Sequence, residues 1–589
     1  FFGSLYANWN ITKDLLFRTT LGVDVRNKRR GYYCSANSLD GEGKDSKSLK
    51  EHTIESGITW ENVLTYSKIL GEHDFQIMGG TSTIYKSKEY TLASGKGQTY
   101  GGNIYHNLAS NTKEVMIDSY LNEEKLASFF GRVNYKFMDR YILTASLRAD
   151  GSSLLADGHK WGYFPSVAVA WRMNEESFLK GFDELSNLKL RLSYGIVGNQ
   201  NGIGNYTTLG LTDQERYEFG DNSYMGYLPG KELSNPNLKW EQSRTANIGL
   251  DFGFFNNRLS GTIEYYNTRT TDLIVKREIN SVLGYEQMLD NLGETKSHGI
   301  DISINGDVFR TKNFTWSLGA NFSQYANEIV KIDNQVDENG KPLSQPGNSW
   351  FVGKPIHVYY DYLPDGIYQY EDFDIKRNAY GKLEYALKPT IDTDGDGIAD
   401  KALTREDNVA PGSVKIKDVN GDGKINADDR TPISRDPDFT LSLNTTLKWK
   451  GFDFYMDWYG VSGRKIRNGY LSESNSGGSL QGKLNGVKVN YWTPFNPSNE
   501  FPRPSHNTNV TYHGSLAIQD ASYIRLRTLQ LGYTFPTTWI KKLQLQKLRV
   551  YATATNLLTF TDFLSYSPEL TPGAYPESKQ YVFGINVSF

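Results

Sequence analysis

Long stretches of this chain alternate apolar and polar residues with a period of two, and that alternation restricts the fold more than any other feature. Phe129, Gly131, Val133, Tyr135 and Phe137 alternate with Phe130, Arg132, Asn134 and Lys136. After Met138-Asp139 come Tyr141, Leu143, Ala145 and Leu147, interleaved with Ile142, Thr144, Ser146 and Arg148. Leu188 to Ile196, Ile248 to Phe254 and Leu259 to Tyr265 repeat the pattern. A period of two puts one residue set on each face of a strand, so the chain is all-β with one apolar and one polar face. Helical patterning is confined to short inserts near Asn174–Glu184 and Thr537–Gln546.

Segment length and connection length separate a sandwich from a membrane barrel. Sandwich strands run to about 5–6 residues, whereas these segments commonly reach ten or more, as a tilted strand crossing a bilayer requires. Very short turns (Thr12-Lys13-Asp14, Glu72-His73-Asp74, Met138-Asp139, Asn256-Asn257, Lys450-Gly451) alternate with long polar stretches. The long stretches fall near 30–50, 92–124, 151–161, 199–239, 276–290, 331–436, 466–516 and 561–577. Short turns on one side and long loops on the other are the asymmetry of an outer-membrane barrel. The sequence therefore predicts a transmembrane antiparallel β-barrel of about 17 strands with long extracellular loops, residues 1–589 forming one barrel domain.

Composition agrees once lipid is the solvent. Mean hydropathy is −0.54, and no run of about 18 apolar residues exists to make a membrane helix. A barrel dilutes its lipid-facing residues with a polar lumen and polar loops, so low hydropathy is compatible with spanning. Lys+Arg (64) nearly balances Asp+Glu (67), leaving no basic field for nucleic acid. The single cysteine, Cys34, excludes an intramolecular disulfide framework. Trp161, Tyr163, Trp171, Trp458 and Tyr459, near strand ends, read as interfacial girdle residues. The first residues, Phe1-Phe2-Gly3-Ser4-Leu5, are expected to be strand rather than a charged-then-apolar leader. At the other end Tyr581, Phe583, Ile585, Val587 and Phe589 are all apolar at odd positions. That run resembles the terminal strand by which Gram-negative outer-membrane barrels are recognised for insertion.

Several blocks resemble, in one order, the SusC/RagA-like TonB-dependent outer-membrane transporters of Bacteroidetes. They are Arg148-Ala149-Asp150-Gly151-Ser152-Ser153 with Trp161-Gly162-Tyr163-Phe164-Pro165-Ser166 and Trp171-Arg172. Tyr194-Gly195, Gly198-Asn199-Gln200, Asn205-Tyr206 and Asn235-Pro236-Asn237-Leu238-Lys239-Trp240-Glu241 follow. Asn291 through Gly299-Ile300, Val419-Asn420-Gly421-Asp422-Gly423, Tyr523-Ile524-Arg525-Leu526-Arg527 and Asn556-Leu557 complete the set. The resemblance implies a barrel of roughly 22 strands around a plugged lumen, so this chain would lack the plug and the first strands. It further implies TonB-energised import of oligosaccharides or oligopeptides. A SusD-like lipoprotein would form the lid, and TonB would be engaged through the absent N-terminal and plug region. A passive porin and a surface glycan-binding or adhesion scaffold are the alternatives.

Calcium chemistry is suggested by the longest loop, 331–436. Asp418, Asn420 and Asp422 stand at positions 1, 3 and 5 of a calcium-loop template, with Gly423 at 6, the Lys424 carbonyl at 7 and Asp429 at 12. Asp429 is one carbon shorter than the usual bidentate Glu. Asp392, Asp394, Asp396 and Asp400 open a second such run, which has Leu403 at position 12. A solvated pair of Asx turns fits the same residues; either way the expected role is structural. No enzyme is expected: the histidines (His52, His73, His106, His159, His298, His357, His506, His513) show no metal-ligand spacing, and neither G-x-S-x-G nor a Walker loop occurs. The loop aromatics Trp350, Phe351, Tyr359, Tyr360, Tyr362, Tyr368 and Tyr370 are candidates for stacking on sugars or on a partner.

Overall fold

The computed structural model describes all residues except 39, 42, 221, 393–396, 406, 472–488, 505–511 and 572–573. Among the described residues seventeen strands have nine or more residues, the number the alternation predicts. They are β1 (Phe2–Asn10), β2 (Leu15–Cys34), β3 (Lys47–Leu70), β4 (His73–Gln98), β5 (Asn111–Phe137), β6 (Tyr141–Ser152), β7 (Trp161–Arg172) and β8 (Leu185–Asn199). Then come β9 (Glu241–Phe254), β10 (Leu259–Glu278), β11 (Gln287–Arg310), β12 (Phe314–Lys331), β13 (Phe439–Trp449), β14 (Phe452–Ser462), β15 (Tyr523–Thr534), β16 (Lys547–Phe560) and β17 (Gln580–Ser588).

The chain divides into two compact units. One holds Phe1–Gly181, Leu188–Gly249 and Asn267–Thr295; the other holds Phe182–Asn187, Leu250–Tyr266 and Lys296–Phe589. In the first, β1 to β8 pair antiparallel with their sequence neighbours. In the second, β12 to β17 do the same. Tight turns demand left-handed backbone, and the chain supplies it without glycine at Met138-Asp139 (φ 53 and 55) and at Asn256-Asn257 (φ 57 and 58). The helical inserts are shorter than the sequence suggests: one 3-10 turn at Met173–Glu175, and a four-residue α-turn at Thr537–Ile540 followed by a 3-10 turn.

Register assigns the two faces. On β3, Ile58, Trp60, Leu64 and Tyr66 point one way and are all exposed; Glu55, Gly57, Thr59 and Glu61 alternate with them. Exposed apolar side chains in a continuous band are the lipid face of a barrel. Tyr163 and Trp171 lie eight residues apart on β7, about 26 Å along a strand at ~3.3 Å per residue, or roughly 19–22 Å of membrane depth at the 35–45° tilt of barrel strands.

Two expected loops are partly strand. β3, β4 and β5 have 24, 26 and 27 residues, while crossing a bilayer uses about 9–11. Their ladders continue beyond the lipid, so the connections shrink to 35–46 and 99–110 rather than 30–50 and 92–124. Once both faces meet water the period-two signal vanishes, although the backbone hydrogen bonds persist. The 276–290 stretch shrinks to 279–286 for the same reason.

The longest loop folds on itself. Val358–Asp361 pairs with Thr431–Ser434, Pro364–Ile367 with Val414–Ile416, and Phe373–Arg377 with Leu383–Leu387. Ile367, Val414, Ile416 and Ile425 form its apolar core together with Trp492 from the 466–516 loop. Arg405 anchors it: the guanidinium holds Asp407 bidentately at 2.8 and 2.9 Å and donates to the Val414 carbonyl at 2.7 Å.

Candidate functional site

Three features of the extracellular side carry chemistry: a packed core of loop motifs, a clamp on the last loop, and a polar wall. The motif core belongs to the first unit. Leu154, Leu155, Phe164, Ile203, Leu238, Trp240 and Leu289 pack together, with Phe164 edge-on to Trp240 at 5.5 Å. Gly198 is required here, since a Cβ would sit 2.1 Å from the Phe164 ring. Polar motif residues tie the loops down: Asn235 donates to the Leu289 carbonyl (2.9 Å), and Asn291 donates to the Lys239 and Asp272 carbonyls (2.9 and 2.8 Å). Arg148 forks onto Asp150 at 2.8 and 2.9 Å and reaches Ser128 at 2.9 Å. Blocks more than 100 residues apart in sequence thus meet in one place.

The clamp lies in the second unit. Arg525, buried on β15, contacts Glu569 and Glu577 at 2.7 Å each and donates to Thr559 at 2.9 Å. The Tyr523 hydroxyl donates to the same Glu569. Burial pushes the Glu569 carboxyl up, but the hydrogen bonds from Tyr523 and Glu577 and the charges of Arg525 and Arg527 outweigh it and hold the group below the usual carboxylate range. Sequence reasoning found the Tyr523–Arg527 motif but not its acidic partners, because nothing local marks Glu569 and Glu577 among 67 carboxylates.

Arg26, Lys28 and Arg30 on β2 share a face with Glu51 and Glu55 on β3, Lys86 and Lys88 on β4, and Glu124 on β5. Their ion pairs are open: Lys28–Glu55 3.4 Å, Arg30–Glu51 3.3 Å, Lys86–Glu124 3.3 Å. This face opposes Ile58 and Trp60, so the charges line the lumen.

The calcium-template residues accept backbone N–H groups within their own loop. Asp418 accepts the Gly421 and Gly423 N–H groups at 2.7 and 2.9 Å; Asn420 and Asp422 accept those of Asp422 and Lys424 at 2.9 and 2.8 Å. Gly421 and Gly423 have φ of 73 and 78, where a side chain is strained. Asp429 is fully buried and accepts the Val419 and Asn426 N–H groups, both at 2.9 Å. Three carboxylates, an amide and a carbonyl are a hard-oxygen set that suits calcium, and each oxygen keeps a lone pair beyond its N–H contact. In the second run Asp392 accepts the Gly397 N–H at 2.8 Å, and Asp400 N–H donates to the Ile391 carbonyl at 2.8 Å; Asp394 and Asp396 lie outside the described residues. The runs are neighbours, for a Cβ on Gly423 would meet the Ile391 side chain at 2.9 Å. Among the described residues no three Asp, Glu, His or Cys side chains converge on one point.

The loop aromatics are largely engaged inside their own fold. Tyr359 lies under Arg435 and Arg467 (4.9 and 5.2 Å), Tyr370 packs on Trp492 (5.6 Å), and Phe351 on Tyr360 (4.8 Å). Trp161 and Tyr163 are exposed as girdle residues should be. Tyr459 departs from that expectation: it shares a face with Asp453 and lies under Arg527 at 3.5 Å, while Trp458 on the other face stacks against Phe560. Strand parity separates the two neighbours.

A family model described as "TonB dependent receptor-like, beta-barrel" matches residues 2–557. The chain belongs to this family of receptor barrels. TonB-dependent receptor P3 of Formosa agariphila is 31% identical over 609 residues, covering 100% of this chain and 58% of its own length. TonB-dependent receptor SusC of Bacteroides thetaiotaomicron is 30% identical over 552 residues, covering 90% of this chain and 50% of its own. The structure of the RagAB peptide transporter superposes with a TM-score of 0.80 at 25% identity, over 100% of this chain and 61% of the other. The receptor barrel described here thus spans between half and about three fifths of the length of these relatives. It is a transmembrane β-barrel of the outer membrane, and its exposed apolar band is the face that lipid covers. Tyr581, Phe583, Ile585 and Val587 on β17, and Phe589 just after it, are exposed, and Ile585 and Val587 pair with Val550 and Leu548.

Proposed function

We propose that this receptor barrel is the wall and outer-loop surface of a TonB-energised importer for oligosaccharides or oligopeptides, working with a SusD-like lipoprotein lid. Likeness to SusC over 90% of the chain and to the RagAB transporter over all of it carries this reading. Its physical rationale is the polar wall. A lumen lined with open ion pairs is wet, so passage must be closed by a gate rather than by the wall. The extracellular motif core and the Arg525 clamp give the loops a fixed shape, which a lid needs as its seat.

The decisive test removes the gene from its host and measures growth on single glycans and on peptides, with and without collapse of the proton gradient. Loss of growth on one nutrient class, reproduced by gradient collapse, is expected. Uptake that survives gradient collapse would instead describe a passive pore. Purification from native membranes should bring down a surface lipoprotein.

Calcium belongs to the same proposal. Asp418, Asn420, Asp422, the Lys424 carbonyl and Asp429 would hold one ion, and Asp392, Asp394, Asp396 and Asp400 a second. The bound ion would stiffen the long loop and perform no step of transport. Calorimetric titration of the chelated full-length protein should show calcium uptake that Asp418→Asn and Asp422→Asn remove; no heat of binding in the unaltered protein would end the idea.

A further inference from the structure

A cavity of about 690 Å³ in the first unit opens on the polar wall among β2, β3, β4 and β5. That volume is within the roughly 300–1,000 Å³ typical of small-ligand sites. Its floor is made by two glycines, Gly22 and Gly57. A Cβ at Gly22 meets nothing closer than 3.8 Å and one at Gly57 nothing closer than 3.9 Å, so both positions leave empty the volume a side chain would fill. Neither glycine has a positive φ, so the turn chemistry that often requires glycine is not the reason for them here.

Charge around this floor is ordered by register. One row across the strands reads Arg26, Glu55, Lys88, Asn122; the next reads Asp24, Gly57, Lys86, Glu124. Adjacent strands are ~4.8 Å apart, so each seat for one sign has a seat for the other within about 5–10 Å. The ion pairs among these groups are open, with Arg26–Asp24 side chains 62% and 39% exposed and Lys86–Glu124 58% and 24% exposed. Such pairs are individually weak and exchange partners at little cost. The segment after β8 closes one side: Gln200 donates to Glu124 at 3.0 Å and Asn205 to the Glu123 carbonyl at 2.7 Å.

We infer that this cavity is a binding subsite for a zwitterionic ligand of short-peptide size, its carboxylate seated by Lys86 and Lys88 and its ammonium by Asp24 and Glu55. Two or three extended residues span roughly 7–11 Å, which matches the separation of the seats. A neutral sugar fits the lining poorly. Phe2 is the single aromatic residue among the groups lining the cavity, so no stacking platform exists, and a neutral sugar carries no charge with which the open ion pairs could exchange partners. This inference rests on the import reading but can fail separately from it.

The test uses the full-length receptor purified with its native partners, titrated calorimetrically with tri-alanine bearing free termini, N-acetyl-tri-alanine amide, and maltotetraose. Free-ended tri-alanine should bind, the capped peptide about tenfold or more weakly, and binding should weaken with added salt. Gly57→Phe should abolish binding by filling the floor; Glu55→Gln, which adds no bulk, should weaken it about tenfold and guards against a folding defect in the first variant. Equal binding of the capped peptide, preference for maltotetraose, or unchanged binding in folded Gly57→Phe would each overturn the inference. Gradient-dependent growth on a nutrient alongside any of those results would leave the import reading standing. Peptide binding without gradient-dependent growth would sink the import reading alone.

Discussion

Replacing Arg525 with Leu should release the last extracellular loop while leaving the barrel assembled. Arg525 has a side-chain exposure of 5%, and its two carboxylate partners, Glu569 and Glu577, are exposed by 26% and 27%. Removing one partner of a fully buried pair costs about 3–5 kcal/mol. The carboxylates here keep partial access to water, so solvent screening reduces the figure to about 2–3 kcal/mol. The loss is local, because β15 and β16 remain paired through ten backbone positions that do not involve the guanidinium. At 1.4 kcal/mol per factor of ten, opening of the 561–577 segment becomes roughly 30–150 times more frequent. Amide hydrogen exchange on the full-length protein in detergent reads that number directly, since local opening sets the exchange rate of a segment. Faster exchange in residues 561–577 with unchanged exchange in β16 is the expected result. An Arg525→Leu protein whose loop exchanges within about twofold of the original would refute the argument, because screening would then have reduced the clamp to an ordinary surface pair.

The same clamp has a pH dependence of known sign. Glu569 is held below its usual range, so its contribution is complete above the unfolded value near 4.3 and is lost as pH falls through the lower folded value; loop exchange, corrected for intrinsic rate, should accelerate only at the acidic end. Gly198→Ala forces a methyl group into the Phe164 ring and should cost about 1–3 kcal/mol of loop-core stability, seen as faster proteolysis within 199–239. Trp240→Ala, which empties the same core, should cost about 3–5 kcal/mol and expose that segment further. Gly584→Leu on β17 meets the Tyr551 ring at 2.3 Å and should slow barrel assembly, read by the shift in gel mobility between heated and unheated samples.

How much of this was legible beforehand depended on whether lipid or water met each strand. Where lipid covers one face, as at Ile58, Trp60 and Leu64, alternation is imposed on the residues and strand, face and span can all be read from it. On the upper parts of β3, β4 and β5 both faces are wet, the constraint lapses, and strand looks like loop. The turns of the 418–429 segment were legible because the residues that make them lie within twelve consecutive positions. The residues that fix the outer surface were not, because Arg525 and Glu577, or Phe164 and Trp240, are neighbours in space alone.

The sequence by itself determined the architecture: all-β, membrane-crossing, with short turns on one side and long loops on the other. Lipid and strand geometry act on each residue locally, so their demand is written at every second position. Only the tertiary structure decided that the long loops are folded bodies with apolar cores, that Arg525 locks the last of them, and that Gly22 and Gly57 leave a charged cavity in the lumen wall. These depend on strand register, which brings Asp24 beside Gly57 and Glu55 beside Lys88. Register is a property of the paired strands together, set by hydrogen bonding across the whole ladder, and no single segment of the chain carries it.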